Sequence, residues 1–359
     1  MADFPAHPDA VEADWLSARL RAAGVLGEGR VTGLRWEPIG TGQVADSVRF
    51  HLAYDPPGAG PASIAGKFPA ADPTSRATAA AFGLYAKEVG FYRDLHHRLD
   101  IRVPQPLVAE LAENGIDFVL LFEDLGPARG GNQLAGCSLG DARAAIRQAA
   151  GVHAPSWNNP EIVGLDWLKP HPEAAGHVRA LYPGAQAVFR ERYAGSLEPQ
   201  FMQVCEALNE ASELWFAREG GDRCLIHGDF RLDNMLFDIR GGTEDIAVLD
   251  WQTVAVGNGL TDIGYVLGCG VGEVLRRAHE DELLDLYCAE MTARGVALSR
   301  DAIWDDYRIG ALHGVSTAVF SAAHVERTTR GDANFLSMAR GACALALEHG
   351  SLGALRGIA

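Results

Sequence analysis

Leu225-Ile226-His227-Gly228-Asp229-Phe230-Arg231-Leu232-Asp233-Asn234-Met235-Leu236, followed by Ile246-Ala247-Val248-Leu249-Asp250-Trp251-Gln252, is the stretch on which the reading of this chain turns. Moving a γ-phosphoryl group requires a carboxylate that orients and deprotonates the incoming hydroxyl, and two oxygen ligands that hold Mg²⁺ against a triphosphate. Asp229 can be that carboxylate, with Asn234 and Asp250 as the ligands. The H-x-D-x-x-x-x-N spacing suits a tight loop entering a short strand at 235–237, and Asp250 ends a second apolar strand at 246–249. If those strands are neighbours, Asn234 and Asp250 come side by side. Each piece alone is ordinary, since His-Gly-Asp and Asp-Asn are common turns and a strand can end in aspartate. All of them in this order point to phosphotransfer.

The chain around this stretch changes character near residue 125. Before it, an amphipathic helix at 9–23 precedes short runs rich in β-formers at 31–39, 48–54, 63–68, 103–110 and 118–122, which predict an antiparallel sheet. Asp55-Pro56-Pro57-Gly58 and Glu113-Asn114-Gly115 should close hairpins. One helix interrupts the sheet, predicted as a single piece over 74–99 from Phe82, Tyr85, Val89, Tyr92 and Leu95. After residue 126 the pattern is helical at 141–153, 173–194, 199–219, 261–269, 273–294, 300–326 and 334–349, broken by strands only around the opening motif. The expected class is therefore α+β, with an N-terminal lobe, 1–125, that binds nucleotide and a larger, mostly helical lobe, 126–359, for catalysis and substrate.

A sheet of this kind should carry its own nucleotide contacts. Gly40-Thr41-Gly42-Gln43-Val44 lies between two strand candidates, where glycines let backbone amides approach phosphates, though Gly-x-Gly turns are common and a third glycine is missing. Lys67 is a cation on an otherwise apolar strand, and Glu88 on the following helix is its candidate partner. Because Lys87 and Glu88 are adjacent, Glu88 could instead be the one that faces water.

Composition narrows the class. Lys and Arg number 31 against 47 Asp and Glu, a net charge of −16, which argues against nucleic acid or an anionic membrane as a main partner. At 48% hydrophobic residues, with no long apolar run and no basic segment leading an apolar core, the chain reads as a cytoplasmic globular protein. The six cysteines are scattered without a C-x-x-C pair, so buried free thiols are expected rather than a zinc site or a disulfide framework.

With these motifs in hand, the chain resembles the aminoglycoside phosphotransferase and choline kinase superfamily, especially its ecdysteroid kinase-like and acyl-CoA-dehydrogenase-associated branch. The matches are His227 to Asn234, Val248 to Gln252 and Gly259-Leu260-Thr261-Asp262-Ile263-Gly264-Tyr265, supported by Glu88 to Tyr92, Leu121 to Leu125, Gly131-Asn132-Gln133 and His153 to Trp157. The resemblance implies a bilobal protein-kinase-like fold, adenine bound by backbone groups of the link around Glu123 and Leu125, and Asp262 bracing the catalytic loop, although a plain helix cap would read the same way. Trp251-Gln252 stands where protein kinases have Phe-Gly, so no activation switch is implied. Arg231 could stabilise charge on the moving phosphoryl group or tie down Asp233. His227 and His153 read as structural.

The resulting expectation is a kinase of a small-molecule alcohol that uses Mg²⁺ and ATP, with GTP as the alternative donor. Gly40, Gly42 and Gln43 would cover the phosphates, Lys67 held by Glu88 would contact them, Asp229 would orient the hydroxyl, and Asn234 and Asp250 would bind the metal. Alternatives are a kinase of a hydroxyacyl-CoA or steroid-like lipid alcohol, and a pseudokinase that binds nucleotide as a scaffold. Trp304, Tyr307, His313, Phe320 and His324 are candidates for the acceptor pocket, though at helical spacing such residues are more often core than lining.

Overall fold

The structure, a computed structural model, describes residues 4–40, 44–169, 172–218 and 221–357, without the side chains of 172–175 and 177. It divides into two compact units, the first of Met1–His97, Val103–Pro127 and Asp250–Gln252, the second of Arg98–Arg102, Ala128–Leu249 and Thr253–Ala359.

The first unit is built on an antiparallel sheet of β1 (Arg30–Pro38), β2 (Ala45–Asp55), β3 (Ser63–Pro69), β4 (Pro106–Leu111) and β5 (Phe118–Glu123), in the order β1-β2-β3-β5-β4. The helix Ala13–Ala22 buries Leu16 and Leu20 with Val48, Phe50, Ile64, Phe68 and Leu121. Strand side chains alternate between faces. In β3, Ile64 and Phe68 therefore point into that core while Lys67 points to the opposite face, paired in register with Ser47 and Leu120. Both predicted turns close hairpins, and in the second Asn114 Oδ1 accepts the N–H groups of Ile116 and Asp117.

The helix expected to run unbroken over 74–99 does not. It comes as Pro73–Ala81 and Leu84–Gly90, followed by a wide turn at Phe91–Leu95 and a tight one at His96–Arg98. Gly83 is the cause: at φ 65° it leaves the right-handed region and interrupts the hydrogen-bond ladder, which the apolar periodicity could not reveal. Tyr85, Val89, Tyr92 and Leu95 remain buried, so the pattern marked the right face of the wrong number of helices.

The second unit is mostly helical, with long helices at Leu139–Ser156, Pro172–Tyr193, Pro199–Glu210, Glu273–Ala293, Arg300–Gly310, Leu312–His324 and Thr329–Glu348. The runs expected at 199–219, 261–269 and 300–326 each come in two pieces. A small sheet interrupts them, in which β6 (Arg129–Gly130) pairs β8 (Met235–Asp238) and β8 pairs β9 (Glu244–Val248). β7 (Cys224–Ile226) pairs β10 (Ala255–Gly257). Met235 lies opposite Val248, and the Leu249 N–H donates to the Asn234 carbonyl at 2.8 Å, so the His227–Asn234 segment enters a strand as its spacing suggested. An antiparallel sheet with its helices, followed by a helical unit carrying short strands, is an α+β protein-kinase-like fold. No helix among the described residues is long and apolar enough to cross a membrane.

Gly83→Ala separates the two readings of the first helix. In an unbroken helix alanine would stabilise by up to about 1 kcal/mol. At a left-handed position it should instead destabilise by roughly 1–2 kcal/mol, read as a lower urea midpoint.

Candidate active site

In the first unit, Lys67 Nζ lies 2.8 Å from Glu88 Oε1 and 2.9 Å from Asp250 Oδ1. Burial opposes the charge on Lys67 more than any other single effect, but the Asp250 and Glu88 carboxylates together outweigh it and raise its pKa above the usual lysine value. Glu88 is 2% exposed, which shows that it and not Lys87 faces the cation. Burial pushes the Glu88 carboxyl up to about 7, against the opposing pull of the Lys67 ammonium.

Asp250 is brought there by its neighbour. Trp251 is fully buried and stacks on Phe91, with ring centroids 3.8 Å apart and planes 2° from parallel. Phe91 follows Glu88 by one helical turn, so one face presents the carboxylate to Lys67 and the ring to Trp251. Asp250 itself has φ 63°, a left-handed conformation that aspartate tolerates better than most residues and that is common at functional positions. The link after β5 is also braced: Asp124 accepts Arg49 Nε at 2.6 Å and Ser63 Oγ at 2.7 Å, and Glu123 Oε1 accepts the Gln105 N–H. Leu125 is buried. Gly40 has φ 76°, while Gly42 and Gln43 lie outside the described residues.

The second unit holds Asp229. Arg231 Nε donates to both of its carboxylate oxygens at 3.0 Å, Asn234 Nδ2 donates to Oδ2 at 2.8 Å, and Tyr265 OH donates to Oδ1 at 2.8 Å. Burial would raise this carboxyl, but the Arg231 guanidinium, His227 and the Tyr265 and Arg231 hydrogen bonds bring it down to about 2. Arg231 also reaches Asp233 through Nη1 at 3.0 Å, so one guanidinium spans both aspartates. Of the two roles open for Arg231, tying down carboxylates is the one this geometry displays.

The loop backbone is gripped as tightly. Gly228 has φ 79°, and a Cβ there would meet the Thr253 carbonyl at 2.7 Å, so only glycine fits the His-Gly-Asp turn. Asp262 accepts the His227 N–H at 2.6 Å and the Gly228 N–H at 3.0 Å, which makes it a brace rather than a simple cap. His227 Nδ1 takes the Asp229 N–H while its Nε2 faces the Leu249 carbonyl at 2.8 Å, so the proton sits on Nε2. His153 lies between Tyr287 OH, 2.9 Å from Nδ1, and Asp262.

Of two residues that support the Asp229 loop, one was not among the expected site residues and the other was expected elsewhere. Tyr265 touches the carboxylate, and His313, expected in the acceptor pocket, instead reaches the Gly228 carbonyl at 2.7 Å through Nε2. A signal for Tyr265 was present: it follows Asp262 by three residues on a predicted helix, hence on the same face. Of the other pocket candidates, Trp304 packs its ring on His349, and buried Tyr307 donates to Glu280. Phe320 and His324 meet at a tilt, with ring centroids 4.4 Å apart, on a more exposed face.

The depressed Asp229 pKa has a consequence for stability. Its contribution, about 2 kcal/mol for a shift of this size, should be present above pH 4 and lost as pH falls through 2. Urea unfolding should therefore find the stability difference between wild type and Asp229→Asn large at pH 5 and shrinking toward pH 2. A difference that stays constant would contradict the hydrogen-bonded, ionised carboxylate.

Comparison with known proteins gives the family. The chain is 44% identical over 45 residues to acyl-CoA dehydrogenase family member 11 of Mus musculus, a match that covers 12% of this chain and only 6% of the mouse protein's length. The fold is similar to that of a spectinomycin phosphotransferase solved with ADP and spectinomycin, with TM-score 0.52, 14% identity and 95% and 99% of the two chains covered. It is similar also to a choline/ethanolamine kinase family protein from Mesorhizobium loti, with TM-score 0.50, 16% identity and 96% and 99% covered. The model of the phosphotransferase enzyme family APH matches residues 74–297, more than half of the chain, and takes in Glu88, the Asp229 loop, Asp250 and Asp262. A chain with that match, this fold and an aspartate held ready at the centre of its loop belongs to the APH phosphotransferase enzyme family.

Proposed function

We propose that the protein is a kinase that moves the γ-phosphate of ATP, or alternatively GTP, to the hydroxyl of a small-molecule alcohol with the help of Mg²⁺, and that it works in the cytoplasm. The observation that carries this reading is the Asp229 carboxylate, ionised and held by Arg231, Asn234 and Tyr265. A carboxylate with a pKa near 2 is a weak base. In a loose phosphoryl-transfer transition state the hydroxyl becomes acidic only late, so orientation matters more than basicity. In this reading Asp229 aligns the hydroxyl and takes its proton as the new bond forms, while Arg231 keeps that carboxylate charged.

The donor side falls to the other residues. Lys67, fixed by Glu88, would contact the α- and β-phosphates, the segment from Gly40 through Gly42 and Gln43 would cover them, and backbone groups at Glu123 and Leu125 would take the adenine. Asn234 and Asp250 suit a hard cation. The Asn234 amide commits its nitrogen to the Asp229 carbonyl and Oδ2, which leaves its oxygen for a metal. Asp250 adds a carboxylate that is 29% exposed. With two protein oxygens, such an ion would be completed by phosphate oxygens and water. When bound, Mg²⁺ would neutralise charge building on the phosphates.

The acceptor is a small molecule, not nucleic acid or a membrane. The local match to a protein named for acyl-CoA dehydrogenase is a specific reason to keep a hydroxyacyl-CoA, beside a steroid-like lipid alcohol, as the second reading. The scaffold reading has less support, because Lys67, Asp229, Asn234 and Asp250 are all present.

The test is titration of Mg·ATP and Mg·GTP by calorimetry, with release of nucleoside diphosphate over a panel of amino sugars, choline-like alcohols, hydroxyacyl-CoA esters and sterols. Nucleotide that binds but never turns over, with water or any alcohol, would favour the scaffold. Asp229→Asn should leave nucleotide affinity unchanged and lower kcat by about 10²- to 10⁴-fold. Asp250→Asn, which keeps the size and the left-handed backbone preference, should abolish the Mg²⁺ dependence of nucleotide binding. Equal loss of ATP affinity and turnover in Asp229→Asn would remove Asp229 from the acceptor side.

A further inference from the structure

A carboxylate has about four lone-pair positions. On Asp229 three protons from the described residues answer them: Tyr265 OH on Oδ1, one Asn234 amide proton on Oδ2, and the single Nε–H of Arg231 spread over both oxygens at 3.0 Å. The slack lies in that shared N–H. When it settles on one oxygen, one position opens for an incoming hydroxyl. Take away the Tyr265 proton and two positions are open.

Tyr265 is held where it is by more than this bond. It ends the helix Leu260–Tyr265, one turn after Asp262, so a single helical face grips both the backbone of the catalytic loop and its carboxylate. That helix lies close against the junction of Arg300–Gly310 and Leu312–His324: a Cβ on Gly264 would stand 2.6 Å from the Ala311 nitrogen. The ring of Tyr265 meets His313 edge-on at 5.1 Å and 86°, and His313 in turn reaches the Gly228 carbonyl. The phenol is fully buried, and burial followed by the Asp229 charge raises its pKa well above 10, so it remains a donor.

We infer that Tyr265 is a positioning residue for phosphoryl transfer: its hydroxyl closes one of two otherwise open positions on Asp229 and leaves the acceptor hydroxyl a single orientation. The inference rests on the proposed role of Asp229 and extends it to a residue outside the loop motif. It also explains why a weakly basic carboxylate suffices, since alignment is what the surrounding donors supply.

Tyr265→Phe tests it, because the ring and its contact with His313 are kept and only one oxygen is lost. Turnover, measured with the best alcohol and with water as acceptor, should fall about 10- to 100-fold, the worth of a hydrogen bond to a charged group, while Mg·ATP affinity holds. In an Asp229→Asn background the same change should cost nothing more, because Tyr265 acts through that carboxylate. The loss should fall on kcat, with the KM for the alcohol little changed, because Tyr265 sets the orientation of the hydroxyl and not its binding. Unchanged turnover in Tyr265→Phe, a full additional loss in the Asp229→Asn background, or a loss confined to KM would each overturn the inference. A wild-type protein that transfers no phosphate to any acceptor would instead overturn the kinase reading itself.

Discussion

A carboxylate cannot stay charged away from water unless other groups replace the water it loses. Asp229 meets that condition with one guanidinium, one amide and one phenol, and much of the second unit is arranged to deliver them. Arg231 is anchored on Asp233. Asp233 is itself held by the Gln133 N–H at 2.9 Å and the Asn334 amide at 3.2 Å. Asp262 fixes the loop backbone from beneath, with His153 and Tyr287 behind it. Arg231 and Asn234 thus each have a second partner, Asp233 and the Asp229 carbonyl, while Tyr265 is held through its ring against His313. Networks of this kind are stiff when every member is satisfied.

The first unit solves the opposite problem, a buried cation. Lys67 is 14% exposed and sits against two carboxylates, one on a helix and one on the segment around Asp250. Burying charge in this way adds little net stability. It does fix the ammonium at one point, as the proposed contact with phosphate requires. The left-handed backbone at Asp250 and the flat stack of Trp251 on Phe91 show the same priority, with geometry kept at some conformational cost. The Trp251-Gln252 departure from Phe-Gly therefore has a structural role in this chain, as an anchor for Asp250.

Aromatic residues near the C-terminus divide between these tasks and ordinary packing. His313 supports the loop, Trp304 and Tyr307 pack with His349 and Glu280, and Phe320 with His324 is left on a more open face. Helical spacing marks all of them alike, because periodicity reports which side of a helix is buried and not what it is buried against.

That limit describes what was legible in advance. The H-x-D-x-x-x-x-N spacing, the apolar strand before Asp250 and the lone lysine of an apolar strand were readable because each is a local pattern with a chemical requirement. Strand positions, hairpin turns and the α+β class followed from periods of 2 and 3.6 and from turn residues. The break at Gly83 escaped, since one glycine can sit in a helix or end it and only the backbone angle decides. The choice of Glu88 over Lys87, the grip of Arg231 on Asp229, and Tyr265 beside a carboxylate 36 residues earlier in the chain were decided by tertiary structure alone. Sequence by itself determined which chemical groups the chain owns and on which kind of element each lies. Which of them meet depends on how helices and strands pack, a property of long-range contacts that no local spacing encodes.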